Sequence, residues 1–154
     1  MVYLPLEHNL MRYATAIGTI ASTIAFLVGF LALPWIGLVD VRGYTLLAGF
    51  ANVQWWTVLM WVLCFAVVLC FLMQLFIDNT RSNFFSLILL IVGSFALAGY
   101  YSILTPAGAS GALAAELAQP AAGFWLTLAG IVGLLLSGIA TIATTPEYDE
   151  DFTE

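Results

Sequence analysis

The chain has 154 residues, of which 63% are hydrophobic and 8% charged; it carries a net charge of −6 and no lysine. A soluble domain of this length needs far more charge to cover its surface, so the composition points to a membrane. Nucleic acid is excluded as a partner, because phosphate binding needs a basic face.

The three arginines, the nine acids and the single histidine all lie outside four long apolar segments. These run roughly from Ala14 to Leu33, Trp55 to Ile77, Phe84 to Leu104 and Ala122 to Ala143. Each has about 20 residues or slightly more, enough to cross a hydrocarbon core of about 30 Å as a helix. Backbone groups in lipid must bond within their own segment, so an all-α, four-helix integral membrane bundle is expected, as one domain spanning 1–154.

Before the first segment lie Glu7, His8 and Arg12. His8 has no second histidine or cysteine nearby, which reads as an interfacial side chain rather than a haem or metal ligand. The segment is too long for the apolar part of a signal peptide and is expected to stay as an anchor. It carries Ala14, Gly18 and Ser22 in one row and Ala21, Ala25 and Gly29 in a second, and Pro34 should end it.

Loop one, Pro34 to Gln54, is long and apolar. Val39 to Tyr44 alternates in polarity and contains Gly43, which predicts a short strand or β-hairpin. An apolar loop must be covered, so a cap folded over the bundle is expected, with Trp35, Tyr44 and Phe50 as candidate partner contacts.

The second segment is bulky and lacks glycine. Cys64 and Cys70 sit roughly 240° apart around it and cannot pair. Gln74, the one amide within a predicted span, should reach the interface near Asp78. Ser82 or Asn83 should cap the third segment, where Gly93, Ser94, Ala98 and Gly99 form a small-residue patch. Loop three, Thr105 to Ala121, suggests a short helix from Ser110 to Leu117 ended by Pro120. The fourth segment aligns Ala129, Gly133, Ser137 and Thr141, and Pro146 follows it. The tail, 144–154, holds five acids, and Tyr148 and Phe152 are spaced to dock on one side of a helical turn.

Arg12 and Arg81 outvote Arg42 under the positive-inside rule, placing both termini in the cytoplasm. Tyr13, Trp35, Trp55, Trp56, Phe84, Phe85, Tyr100, Tyr101, Phe124 and Trp125 fall at predicted boundaries, as an aromatic belt would. The layout resembles the tetraspan plan of claudins in topology: both ends inside, a long first external loop with Trp35, and a shorter second one. Loop one has no cysteine, so neither that family's disulfide nor its barrier function follows.

The apolar segments offer no acid, base or metal-ligand set, and no catalytic or phosphate-binding motif occurs. No catalytic, cofactor or metal site is therefore expected. The expected protein is a non-catalytic accessory or structural subunit of a larger respiratory, photosynthetic or transport complex, packing through small-residue helix faces, loop one and the acidic tail, in the inner membrane of a prokaryote. Its contacts would be lipid, other membrane subunits, and a lipid or pigment held in surface grooves. A self-assembling, claudin-like tetraspan forming homo-oligomers or a pore is the alternative.

Overall fold

The computed structural model of the chain describes residues 4–36, 42–45, 47, 55–77, 79–104 and 119–144, with side chains described from Leu10 to Gly99 and from Gln119 to Thr144 within these stretches. Four helices follow one another: α1 (Leu4–Leu27), α2 (Trp55–Phe76), α3 (Thr80–Leu104) and α4 (Ala122–Thr144). The helical stretches Leu10–Ala32, Trp55–Phe76, Thr80–Gly99 and Ala122–Thr144 are each long and apolar enough to cross a membrane. Helix α1 starts well before Ala14, because nothing from Leu4 onward breaks a helix except Pro5, which is tolerated in a first turn.

α1 does not end as a regular helix. Val28–Ala32 is a π-helical turn, closed by the Leu33 N–H donating to Val28 O at 3.1 Å. Leu33 is then extended (φ −98, ψ 146), as the residue before a proline prefers. Pro34 has no N–H to continue the ladder, so the Gly29 carbonyl loses its backbone donor. The indole N–H of Trp35 supplies the missing bond, donating to Gly29 O at 2.9 Å.

The helices associate as two antiparallel pairs. In the outer pair, α1 and α4, Gly18 faces Ser137, Ser22 faces Gly133, Phe26 faces Gly130, and Gly29 faces Thr127. In the inner pair, α2 and α3, Leu63 backs onto Gly93 and Cys70 bonds Ser86. Every one of these couples is centred in sequence on the turn between α2 and α3, so one pair is nested inside the other. Association in lipid rests on close packing rather than on a hydrophobic drive. A Cβ at Gly130 would lie 2.6 Å from Phe26 N and 2.7 Å from Ser22 O, so only glycine permits this approach of backbones.

Buried positions repeat at alternating steps of three and four, the spacing of left-handed helix packing. On α2 they include Met60, Leu63, Val67 and Cys70, with Ala66 beside them. On α4 they include Phe124, Thr127, Ile131, Leu134 and Gly138. Between these stripes the surface is equally apolar, with Phe65, Phe95 and Leu136 among the exposed side chains, as lipid requires.

At the loop-one end, Phe26 stacks on Phe30 (5.3 Å), and Trp35 meets Phe30 (5.7 Å) and Phe124 (5.8 Å) edge-on. The α1 exit also caps α4: Ala121 N–H donates to Trp35 O at 2.9 Å and Gly123 N–H to Pro34 O at 3.1 Å. These bonds satisfy N–H groups that a helix start leaves open. Ile36 and Pro120 form an isolated antiparallel bridge joining loops one and three. No strand occurs among the described residues, so the β-hairpin expected in loop one is not supported. Gly43–Thr45 instead makes a tight helical turn in which both the Thr45 N–H (3.1 Å) and hydroxyl (2.7 Å) donate to Arg42 O. Gly43 lies against the rings of Phe30 and Trp35. Val39 to Val41 and the short helix expected from Ser110 to Leu117 lie outside the described residues.

Candidate functional site

Most of the described polar side chains that turn inward gather at the opposite end, where α1 and α3 begin and α2 and α4 finish; buried Thr127, whose hydroxyl donates to Gly123 O at 2.7 Å, lies at the loop-one end. Gln74, half-buried near the end of α2, continues the buried stripe of Leu63, Val67 and Cys70 rather than facing the interface. Its Nε2 donates to Leu134 O on α4 at 3.1 Å. Thr19 on α1 is fully buried, with its Oγ1 lying 2.6 Å from Gln74 Oε1 and 2.9 Å from Thr15 O, two acceptors for one proton. On α3, Asn83 does not cap the helix. Asn79 Oδ1 does so, accepting from the Arg81 N–H at 3.0 Å, while Asn83 turns inward and donates to Gly138 O on α4 at 3.4 Å. Ser86 accepts from the Cys70 thiol at 3.4 Å and donates to Asn83 O at 2.8 Å.

This layer therefore ties all four helices together. Its groups are carboxamides, hydroxyls, a thiol and main-chain carbonyls, which place and orient by hydrogen bonding. Among the described residues no cluster of three or more His, Cys, Asp or Glu side chains is arranged to hold a metal ion. Cys70 is buried and Cys64 half-buried, both as free thiols.

The small-residue candidates divide. Gly18, Ser22, Gly29, Gly133 and Ser137 lie between α1 and α4, and Gly93 lies against the backbone of Leu63. Ala25 is half-buried, whereas Ala14 and Ala129 face outward. Trp35, expected as a partner contact and as part of the belt, has 0% exposure; Phe124 is also buried. Tyr44 is 42% exposed, while Phe50, Tyr148 and Phe152 lie outside the described residues. Tyr13, Trp55, Phe84, Phe85 and Trp125 are exposed where a belt would put them.

From sequence, Gln74 is expected at the interface because it stands one turn before Asp78, and Asn83 is a candidate cap because it stands at the start of the third segment. The signal that places them inside is periodic: Gln74 follows Cys70 by four and Val67 by seven, and Asn83 precedes Leu90 by seven and Leu97 by fourteen. Replacing Gln74 by Leu removes bonds to two neighbouring helices. At about 0.6 kcal/mol per interhelical bond in a membrane protein, the expected loss is about 1 kcal/mol in an equilibrium unfolding titration in mixed micelles. A loss several times larger would show that the layer holds the fold rather than tuning it.

Four membrane-length helices closed around this layer have the build of a multi-pass membrane protein, a four-helix bundle. No protein-family model, curated protein or solved structure matches the chain.

Proposed function

We propose that the protein is a non-catalytic accessory or structural subunit of a larger membrane assembly, of the respiratory, photosynthetic or transport kind. The observation that carries this reading is the use made of the interior. The described inward-facing polar groups bond chiefly to one another or to main chain, and the small-residue faces of α1 and α4 close on each other. Among the described residues, what remains for contact is the outer surface, where Trp61, Phe65 and Val68 on α2 and Ile88, Ile91 and Phe95 on α3 stand exposed. Wide aromatic and branched faces of this kind suit packing against lipid and other helices.

Extraction in a mild detergent, followed by native electrophoresis and mass spectrometry, tests the reading. Co-migrating polypeptides are expected. A monodisperse monomer overturns it, and a homo-oligomer without other components replaces it with the self-assembling tetraspan.

Within the same proposal, both termini face the cytoplasm of a prokaryotic inner membrane. Arg12 and Arg81 are exposed at one end of the bundle, and Arg42 belongs to loop one at the other. In a cysteine-free background, Thr45→Cys should react with an impermeant maleimide on intact cells and Asn79→Cys only after lysis. The reverse pattern inverts the orientation.

A further inference from the structure

Asn83 is 2% exposed, and its two polar atoms fare differently. Nδ2 donates to Gly138 O across a long 3.4 Å, while Oδ1 is buried and accepts no hydrogen bond from any described residue. Turning the amide over gives no relief, since it would set Oδ1 against the Gly138 carbonyl, two acceptors face to face. An acceptor removed from water and left unpaired bears its full desolvation penalty, the more so where the surroundings are helices and lipid.

We propose that Asn83 Oδ1 marks a buried hydration site, holding one water molecule among α2, α3 and α4 beside Gly138. The ligand must donate a hydrogen bond, which excludes an anion. It must also be small, because Asn83 is only 2% exposed and Oδ1 is closed off from solvent. It is neutral, because the described groups around Asn83 are amides, hydroxyls and carbonyls, and an uncompensated cation in a low dielectric is costly to desolvate. A buried water needs two to four polar partners. Asn83 Oδ1 takes one of its protons. Gln74 Nε2 spends one of its two protons on Leu134 O and lies beside Gly138, the residue whose carbonyl takes the Asn83 amide, so its second proton is assigned to the water oxygen. The two carboxamides, on α2 and α3, are then bridged through the water, and the weak direct bond of Asn83 to α4 is supplemented.

The test is solution NMR on the full chain in lipid nanodiscs, with asparagine side chains labelled with nitrogen-15. A magnetisation-transfer cross-peak from long-lived water to the Asn83 side-chain amide is expected, and it should vanish with the amide signal in Asn83→Leu, which assigns it. The wild-type spectrum decides even if that variant fails to fold. An Asn83 amide without a water cross-peak, while exposed Asn79 shows the rapid exchange of surface water, overturns the proposal. So does an Asn83 signal that moves with sodium at constant ionic strength but not with potassium, since the occupant would then be a cation.

Discussion

Gly130→Val is expected to force α1 and α4 apart and to cost about 3 kcal/mol, the upper part of the usual range for overpacking a close contact. The new Cβ alone would lie 2.6 Å from Phe26 N and 2.8 Å from Phe26 Cα, main-chain atoms that cannot rotate aside. The gain in helix propensity on leaving glycine, about 1 kcal/mol at most, is the smaller term. Ala129→Val supplies the control. Ala129 is the adjacent residue but faces outward, and its substitution should stay within about 0.5 kcal/mol. Both are read from reversible unfolding in mixed micelles. Equal effects at the two positions would mean that the backbone contact between α1 and α4 does not govern stability.

Trp35 carries the second large effect. Trp35→Ala should cost about 3–5 kcal/mol, the range for removing a buried large aromatic side chain. Trp35→Phe separates two parts of that loss. It keeps a ring between Phe30 and Phe124 but removes the N–H that bonds Gly29 O at 2.9 Å. A buried carbonyl without a donor costs about 1–3 kcal/mol, so Trp35→Phe should fall between wild type and alanine. If it matches wild type, the indole bond is dispensable and the π-helical end of α1 holds itself.

The helices were legible because prolines and charged loops interrupt continuous apolar runs. The π-helical turn was not legible, since no residue pattern distinguishes it. The packed faces were only partly legible, because in lipid both sides of a helix are apolar and polarity cannot mark the inside. The row Ala129, Gly133, Ser137, Thr141 shows why. Steps of four advance about 40° each around a helix with 3.6 residues per turn, so a long row winds off any one face. Gly133 and Ser137 stay at the contact and Ala129 drifts outward, as Ala14 does on α1. The row that meets α1 steps by three and four, through Thr127, Gly130, Gly133 and Ser137.

Trp35 misled for another reason. A tryptophan at the end of a membrane helix reads as an interfacial residue on general grounds. The Trp35 bond to Gly29 O depends on the π-helical turn, which no residue pattern announces. Gln74 and Asn83 were visible as residues but not as neighbours. Their meeting on α4 depends on how two nested pairs dock, which no local signal records.

The nesting bears on how the chain is made. Helices α2 and α3 leave the ribosome one after the other and are able to pair at once. Helix α1, which emerges before them, has to wait for α4, which emerges after them. At roughly 5–20 residues per second, the stretch from Gly29 to Gly130 imposes a delay on the order of 5–20 s. Throughout that interval the grooved side of α1, with Gly18, Ser22 and Gly29, has only lipid or an assisting protein to rest against. A nascent chain cut short before Ala122 would never lose that exposed groove, and so offers quality-control proteases a durable mark of incomplete synthesis.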